Sequence, residues 1–154
     1  MAKAEGVQEI VGKFLGRLDE VVERCAEAIA GTIPSYARSG DLFIDDVRDA
    51  VRENVATLSQ VLNENRDIHR DELEAIGRVG ARRAEAGIPL DDVLHAYRTV
   101  SRVCWDILAE ECRATGGSAL EATIELAETV LRYTDEISTG VAEAYARAQR
   151  AIVR

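Results

Sequence analysis

The chain lacks several features that would mark particular classes of protein. It has three cysteines, an odd number without regular spacing, which excludes a disulfide framework and predicts free, mostly buried thiols in a reducing cytosol. No apolar run approaches the roughly 20 residues of a membrane span. The N-terminus also lacks the basic-then-apolar layout of a secretion signal. These absences predict a soluble, cytoplasmic protein.

Positive charge is also in short supply. Lys and Arg together number 19 against 28 Asp and Glu, which gives a formal net charge of -9. This balance argues against a nucleic-acid groove and against docking on an anionic membrane, because both need clustered positive charge. Residues 73–102 have the outline of a helix-turn-helix, but Asp91 and Asp92 at the start of its second helix would repel phosphates. We therefore expect that this chain binds neither nucleic acid nor membrane.

The sequence carries no catalytic or metal-binding pattern. It has no Gly-x-Ser-x-Gly turn, phosphate-binding loop or dinucleotide fingerprint. Asp92 and His95 come nearest to the Glu-x-x-His motif of a di-iron bundle, but a second copy is missing. His95 alone could be an axial haem ligand, although a lone histidine on a helix is more often a packed or surface residue. We predict that the protein is not an enzyme and holds neither metal nor cofactor.

Apolar residues recur at helical spacing along nearly the whole chain. The two prolines, Pro34 and Pro89, each follow a glycine closely and coincide with breaks in the pattern. No segment alternates with the period of two that strands require. The sequence therefore predicts one all-α domain over residues 1–154, of about five helices in a globin-like fold or a bundle. The predicted helices span 7–29, 41–62, 73–84, 89–113 and 118–152.

The last predicted helix has an apolar seam that continues to the end of the chain. Ser118 and Glu121 form a capping box at its start. From Leu120 to Ile152, ten positions follow one another alternately four and three residues apart, and eight of them are apolar, with Thr134 and Ser138 as the interruptions. A helix of this length spans roughly 50 Å, which is more than the other helices of one subunit could cover. An uncovered apolar stripe usually marks a partner surface.

We therefore predict a homodimer, because two-fold pairing is the commonest way to cover such a stripe. The last helix should supply most of the contact and the first helix should be the second contributor. The predicted interface residues are Phe14, Leu18, Leu131, Val141 and Tyr145.

The segment 82–108 contains the strongest local cluster of side chains. Tyr97 and Trp105 are large amphipathic anchors eight residues apart on one face of the predicted helix, and Arg98 and Arg102 lie one helical turn apart beside them. One interpretation is a core helix with flanking salt bridges. The other is a ligand pocket or a subunit contact built from these four residues. Just before this helix, Gly87 is expected to have a positive φ, since it ends the preceding helix.

Several short motifs occur in a fixed order along the chain. They are Ile33-Pro34-Ser35-Tyr36, Arg83, Ala84, Gly87-Ile88-Pro89-Leu90, Leu94, Ala96-Tyr97-Arg98 and Trp105. In this set the chain resembles the RsbRD-type N-terminal domain over about residues 10–150. That module is found in front of PucR-type transcriptional regulators of actinomycetes and in RsbR-like co-antagonists of the stressosome. Arginine far outnumbers lysine, which also suits a GC-rich actinobacterial genome.

The resemblance implies an all-helical, globin-like sensor domain without haem that forms a homodimer. Such a domain is a non-enzymatic signal-input module of a transcriptional regulator or stress-signalling protein, and an unidentified small-molecule effector is compatible with it. Relatives continue into a C-terminal output domain beyond the position of Arg154. We therefore expect either a piece of a longer protein or a stand-alone paralogue. The alternative function is a globin-like carrier or sensor that binds haem or a small ligand by itself.

Overall fold

The computed structural model describes residues 5–153, apart from the side chain of Ser118. Within that range the chain is all-α, as predicted, and it ends in a long helix. None of the described helices is long and apolar enough to cross a bilayer. The helices are α1 (Val7–Leu15), α2 (Leu18–Thr32), α3 (Pro34–Ala37), α4 (Asp41–Glu64), α5 (Arg70–Glu85), α6 (Leu90–Thr115) and α7 (Leu120–Ile152), with a 3-10 turn over Gly117–Ala119.

The prediction of a single helix over 7–29 is wrong, because the helix breaks at Gly16 and Arg17. Arg17 leaves the helical conformation, with φ -106° and ψ 18°. Its guanidinium lies 2.9 Å from the carboxylates of both Glu110 and Glu111 on α6. The break therefore places a cation over the acidic part of α6. Together with the short helix α3, it gives seven helices within residues 5–153 where about five were predicted.

The start of the last helix differs from the prediction. The 3-10 turn delays the start of α7 to Leu120, whose N-cap is Ala119 without a side-chain hydrogen bond. The side chain of Ser118, on which the predicted capping box depends, lies outside the part of the chain that the structure describes. A capping box is present at α5, where the Glu72 carboxylate accepts a hydrogen bond from the backbone N–H of His69 at 2.9 Å. The Arg66 guanidinium donates to the same carboxylate at 2.9 Å, so the loop before α5 is tied to its first turn.

Helix α7 packs most extensively against α5 and then against α6, while α2 packs against α4 and α6. The contact between α5 and α7 depends on glycine. A Cβ atom at Gly80 would lie only 2.7 Å from the backbone oxygen of Val141, and one at Gly140 would lie 2.7 Å from Cδ1 of Leu73. At Gly77 the added atom would meet Cβ of Ala144 at 3.5 Å, an ordinary contact. The two helices therefore touch backbone to backbone at Gly80.

The junction between α5 and α6 confirms the expected left-handed glycine. Gly87 has φ +76°, and the N–H groups of Gly87 and Ile88 donate to the carbonyls of Ala84 and Arg83 at 3.1 and 3.0 Å. This is the Schellman pattern of a helix C-terminus. The hydroxyl of Tyr145 on α7 donates to the Ile88 carbonyl at 2.6 Å. The turn between α5 and α6 is thereby fastened to α7.

Candidate functional site

The four residues of the predicted cluster on α6 do not share one environment. Tyr97 lines a cavity inside the domain, whereas Arg98, Arg102 and Trp105 line a groove on its surface. The reason is geometric, since eight residues at about 100° each leave Tyr97 and Trp105 about 80° apart around the helix. Helix α6 therefore separates two candidate sites, a surface groove and an interior cavity.

The surface groove lies between α6 and α7 and has a volume of about 410 Å³. Arg98 and Arg102 are exposed along its α6 side, and Trp105 is half-buried. On the α7 side Leu131 is 72% exposed. Beneath them Thr134 and Ser101 join the two helices through hydroxyl groups 2.9 Å apart. The groove thus combines apolar side chains with two arginines, over a floor that is held by a hydrogen bond.

Exposed apolar residues extend this groove toward the start of α7. Ile124 is 44% exposed and Leu120 is 65% exposed. Leu120 and Trp105 also line the neighbouring depression over the α6–α7 connection. We call the surface formed by Trp105, Leu120, Ile124 and Leu131 the α6–α7 face. Contiguous apolar surface of this kind is characteristic of interaction sites.

The structure corrects most of the predicted dimer interface. Phe14 and Val141 are completely buried and Tyr145 is 5% exposed. Leu18 is partly buried and packs against the core. These four side chains therefore stabilise the subunit itself, and Val141→Glu would place a charge in its core rather than separate two copies. Of the five residues, Leu131 alone is largely exposed.

Helix geometry contributes to the departure of the seam from the surface. A straight α-helix drifts by about 20° per heptad relative to a strict seven-residue repeat. Between Leu120 and Val141 the seam covers three heptads, which amounts to about 60°. The seam accordingly faces solvent at Leu120 and Leu131 and faces the core at Val141. The first part of the apolar seam therefore lies on the surface of the subunit, and the later part lies in its core.

The interior cavity is lined by residues of helices α2 to α6, opens partly to solvent and measures about 30 Å³. Most of its wall is aliphatic. Four polar side chains complete the lining: Tyr36, Asn54, Arg83 and Tyr97. Arg83 is the one charged residue among them. This set combines hydrogen-bond donors with an apolar wall, which is the usual character of a small-molecule site.

Arg83 is 4% exposed and is held from outside the cavity. Its Nη1 donates to Oδ2 of Asp46 at 2.7 Å, and its Cζ lies 4.8 Å from the centre of the Phe43 ring. Arg82 approaches the same carboxylate at 3.4 Å. Burial raises the pKa of Asp46, but the hydrogen bonds and positive charges of Arg83 and Arg82 together outweigh it and leave the pKa below the usual value. Asp46 is therefore an anion shared by two cations.

The other polar groups of the cavity are neutral. The Tyr133 hydroxyl lies 2.7 Å from Oδ1 of Asn54 and 3.1 Å from its backbone oxygen, which fixes the amide in place. Burial raises the pKa of Tyr97 and, against the opposing charge of Arg83, that of Tyr36. Both phenols consequently remain protonated at neutral pH and can donate hydrogen bonds.

Sequence reasoning named Arg83 and Tyr36 only as parts of the resemblance and did not assign them to a site. A signal for Arg83 was present, because it lies in the apolar stripe of α5, four residues after Val79 and seven after Ile76. An arginine in a buried stripe indicates a paired or functional charge. Asn54 and Tyr133 gave no comparable signal, because their contact joins residues 79 positions apart.

The histidine considered as a haem ligand lies elsewhere. His95 is exposed on α6 and lines neither the groove nor the cavity. Across residues 5–153, no group of three His, Cys, Asp or Glu side chains converges as a metal site would require. The candidate residues are therefore those that line the cavity, Tyr97 among them, and those of the α6–α7 face and the adjoining groove, which include Arg98, Arg102 and Trp105.

A comparison with protein families identifies the class: the family described as the RsbT co-antagonist protein rsbRD N-terminal domain matches residues 19–154. The chain belongs to this family, whose members are regulatory domains. The resemblance stated from the motifs is thereby confirmed. No curated protein and no solved structure gives a significant match to the chain.

Proposed function

We propose that this chain is a cytoplasmic signal-input module of a transcriptional regulator or stress-signalling protein, and that it acts as a homodimer without catalysing a reaction. Membership of a regulatory family supports the first part. The observation that carries the second is the α6–α7 face, where Leu120, Ile124 and Leu131 are exposed on one long helix beside Trp105.

The charges around this face favour a second copy of the chain as the occupant. Arg98 and Arg102 lie on the α6 side, whereas Glu121 and Glu128 are exposed on α7 beside the apolar residues. A two-fold axis brings the same surface of each subunit against the other, so each α6 can meet the partner's α7. Such pairing places arginines near glutamates, which offsets the repulsion between two chains of net charge -9.

The test is the mass in solution, measured by light scattering after size exclusion at tens of micromolar protein. We expect the wild type to have twice the mass of the 16.8 kDa chain. Leu131→Glu should give monomers, because it places a charge within the apolar contact. Leu42→Glu is the matched control, since Leu42 is 88% exposed on α4 and lies outside this face.

Two results would contradict the proposal. A wild-type mass of one chain would exclude the dimer, and an unchanged dimer in Leu131→Glu would exclude this face as its interface. Circular dichroism of each variant shows whether the fold is retained. Retention is expected because the side chain of Leu131 is 72% exposed and contributes little to the core.

A further inference from the structure

We infer that the interior cavity between α2 and α6 is a binding site for a small monocarboxylate of about the size of formate or acetate. The inference goes beyond the proposed function and does not depend on whether the α6–α7 face forms a dimer. It rests on the charge, the donors and the size of the cavity.

The charge of the lining favours an anion. Arg83 lines the cavity and no carboxylate does. Asp46, which pairs with Arg83, approaches from the solvent side with a side chain that is 40% exposed, and it is also shared with Arg82. The guanidinium groups of Arg82 and Arg83 thus share the single carboxylate of Asp46. A second anion, bound on the cavity side of Arg83, would balance the remaining positive charge.

The remaining hydrogen-bond capacity points the same way. A guanidinium has five N–H donors. The carboxylate of Asp46 engages Nη1 of Arg83 and the Tyr36 hydroxyl also accepts from this guanidinium, so part of the donor capacity remains. Tyr36 and Tyr97, both protonated, line the same cavity. Tyr97 is half-buried as a residue, while burial raises the pKa of its hydroxyl, so this residue lies between solvent and cavity. Donors on several sides suit a group that only accepts hydrogen bonds, as a carboxylate does.

The size and the wall determine the rest of the ligand. The cavity of about 30 Å³ has roughly twice the room that one water molecule needs. A carboxylate group beside Arg83 therefore takes up most of this room. Aliphatic side chains form the opposite wall, among them Ile29, Val51 and Val79. They suit the hydrogen of formate or the single methyl group of acetate, and the cavity leaves no room for a longer chain or for haem.

The experiment is a titration of the purified protein with sodium formate and sodium acetate at constant ionic strength, followed by melting temperature and by NMR. We expect saturable binding and a rise in melting temperature that sodium chloride does not produce. Acetamide, which has the shape of acetate without its charge, should bind at least about tenfold more weakly. Nuclear Overhauser effects should connect the acetate methyl group to the methyl groups of Val51 and Val79.

Three variants locate the site. Tyr97→Phe removes one hydroxyl and should weaken binding about tenfold, since a hydrogen bond to a charged group is worth roughly that factor. Ala50→Val fills part of the cavity while it keeps all four polar groups, and it should abolish binding. Arg98→Gln is the control, because it removes a positive charge from the outer face of the same helix and should leave the affinity unchanged.

The inference is overturned if no carboxylate binds saturably, if chloride stabilises the protein equally, or if Ala50→Val and Tyr97→Phe both bind as tightly as the wild type. A loss of affinity in Arg98→Gln equal to that in Tyr97→Phe would also overturn it, because the anion would then be attracted by the general field of α6. Failure of these tests would leave the mass measurement on the dimer unaffected, so the two proposals can be distinguished.

Discussion

The glycine contact between α5 and α7 makes a sharp prediction about stability. A methyl group at Gly80 would lie 2.7 Å from a backbone oxygen of α7, the carbonyl of Val141, and 3.1 Å from Cγ1 of the same residue. A backbone atom cannot rotate away, so the two helices would have to separate. Overpacking of this kind costs about 1–3 kcal/mol. Alanine recovers up to about 1 kcal/mol through its higher helix propensity.

We therefore expect Gly80→Ala to lower the free energy of unfolding by about 1–2 kcal/mol. For a domain of this length that corresponds to a fall in melting temperature of roughly 3–6 °C. Gly77→Ala is the matched control on the same helix, because its added methyl would meet Ala144 at an ordinary 3.5 Å. It should be neutral or stabilise the protein by up to about 1 kcal/mol.

A third variant separates backbone contact from side-chain contact. Gly140→Ala would also meet an atom at 2.7 Å, but that atom is Cδ1 of Leu73, a side chain that is only partly buried and can change rotamer. Its effect should lie between those of Gly80→Ala and Gly77→Ala. Urea unfolding followed by circular dichroism measures all three. A Gly80→Ala protein at least as stable as Gly77→Ala would refute the reasoning.

Three further predictions concern backbone conformation, acid stability and thiol reactivity. Gly87→Ala should lower the free energy of unfolding by about 1 kcal/mol, because φ +76° favours glycine. Gly31→Ala is the control, since an added methyl group would lie in open space within α2. Equal melting temperatures of the two variants would contradict this prediction. The hydrogen bond from Arg66, with burial opposing it, lowers the pKa of Glu72, so its carboxylate stabilises the fold at neutral pH and this contribution is lost on acidification. The stability difference between wild type and Glu72→Gln should thus shrink below about pH 4.5, while Glu74→Gln, at a surface pair, should matter little at any pH. The three cysteines are free and buried, so a thiol reagent should label them only in urea; rapid labelling of the native protein would show that the core opens.

Local signals determined much of the fold. The Gly-Ile-Pro sequence at 87–89 and the proline at 34 gave the helix breaks at those points, because glycine and proline act on the backbone whatever surrounds them. The break at Gly16 was missed because the apolar stripe continues through it. What stabilises that break is the contact of Arg17 with Glu110 and Glu111 on a distant helix, which periodicity does not reveal.

The candidate sites were harder to predict, because each combines residues from several helices. Tyr97 and Trp105 were assigned to one face of the helix. They point about 80° apart around α6, and this is enough for Tyr97 to line the cavity while Trp105 lines the surface groove. The seam of α7 was taken as one surface, although its slow rotation carries Val141 into the core. In both cases the residue types correctly indicated a buried or an interacting side chain. The direction in which each side chain points depended on small angles that add up along the helix.

The glycine contact also has a mechanical consequence. Arg83, at the cavity, lies three residues after Gly80, where α5 and α7 touch backbone to backbone. A loose layer of side chains could absorb a small shift of α5, but two backbones in contact transmit it. The hydrogen bond from Tyr145 to the turn after α5 adds a second linkage one helical turn further along α7. A displacement of α5 at the cavity would thus move the C-terminal half of α7 in the same direction, because the two helices are linked at both points.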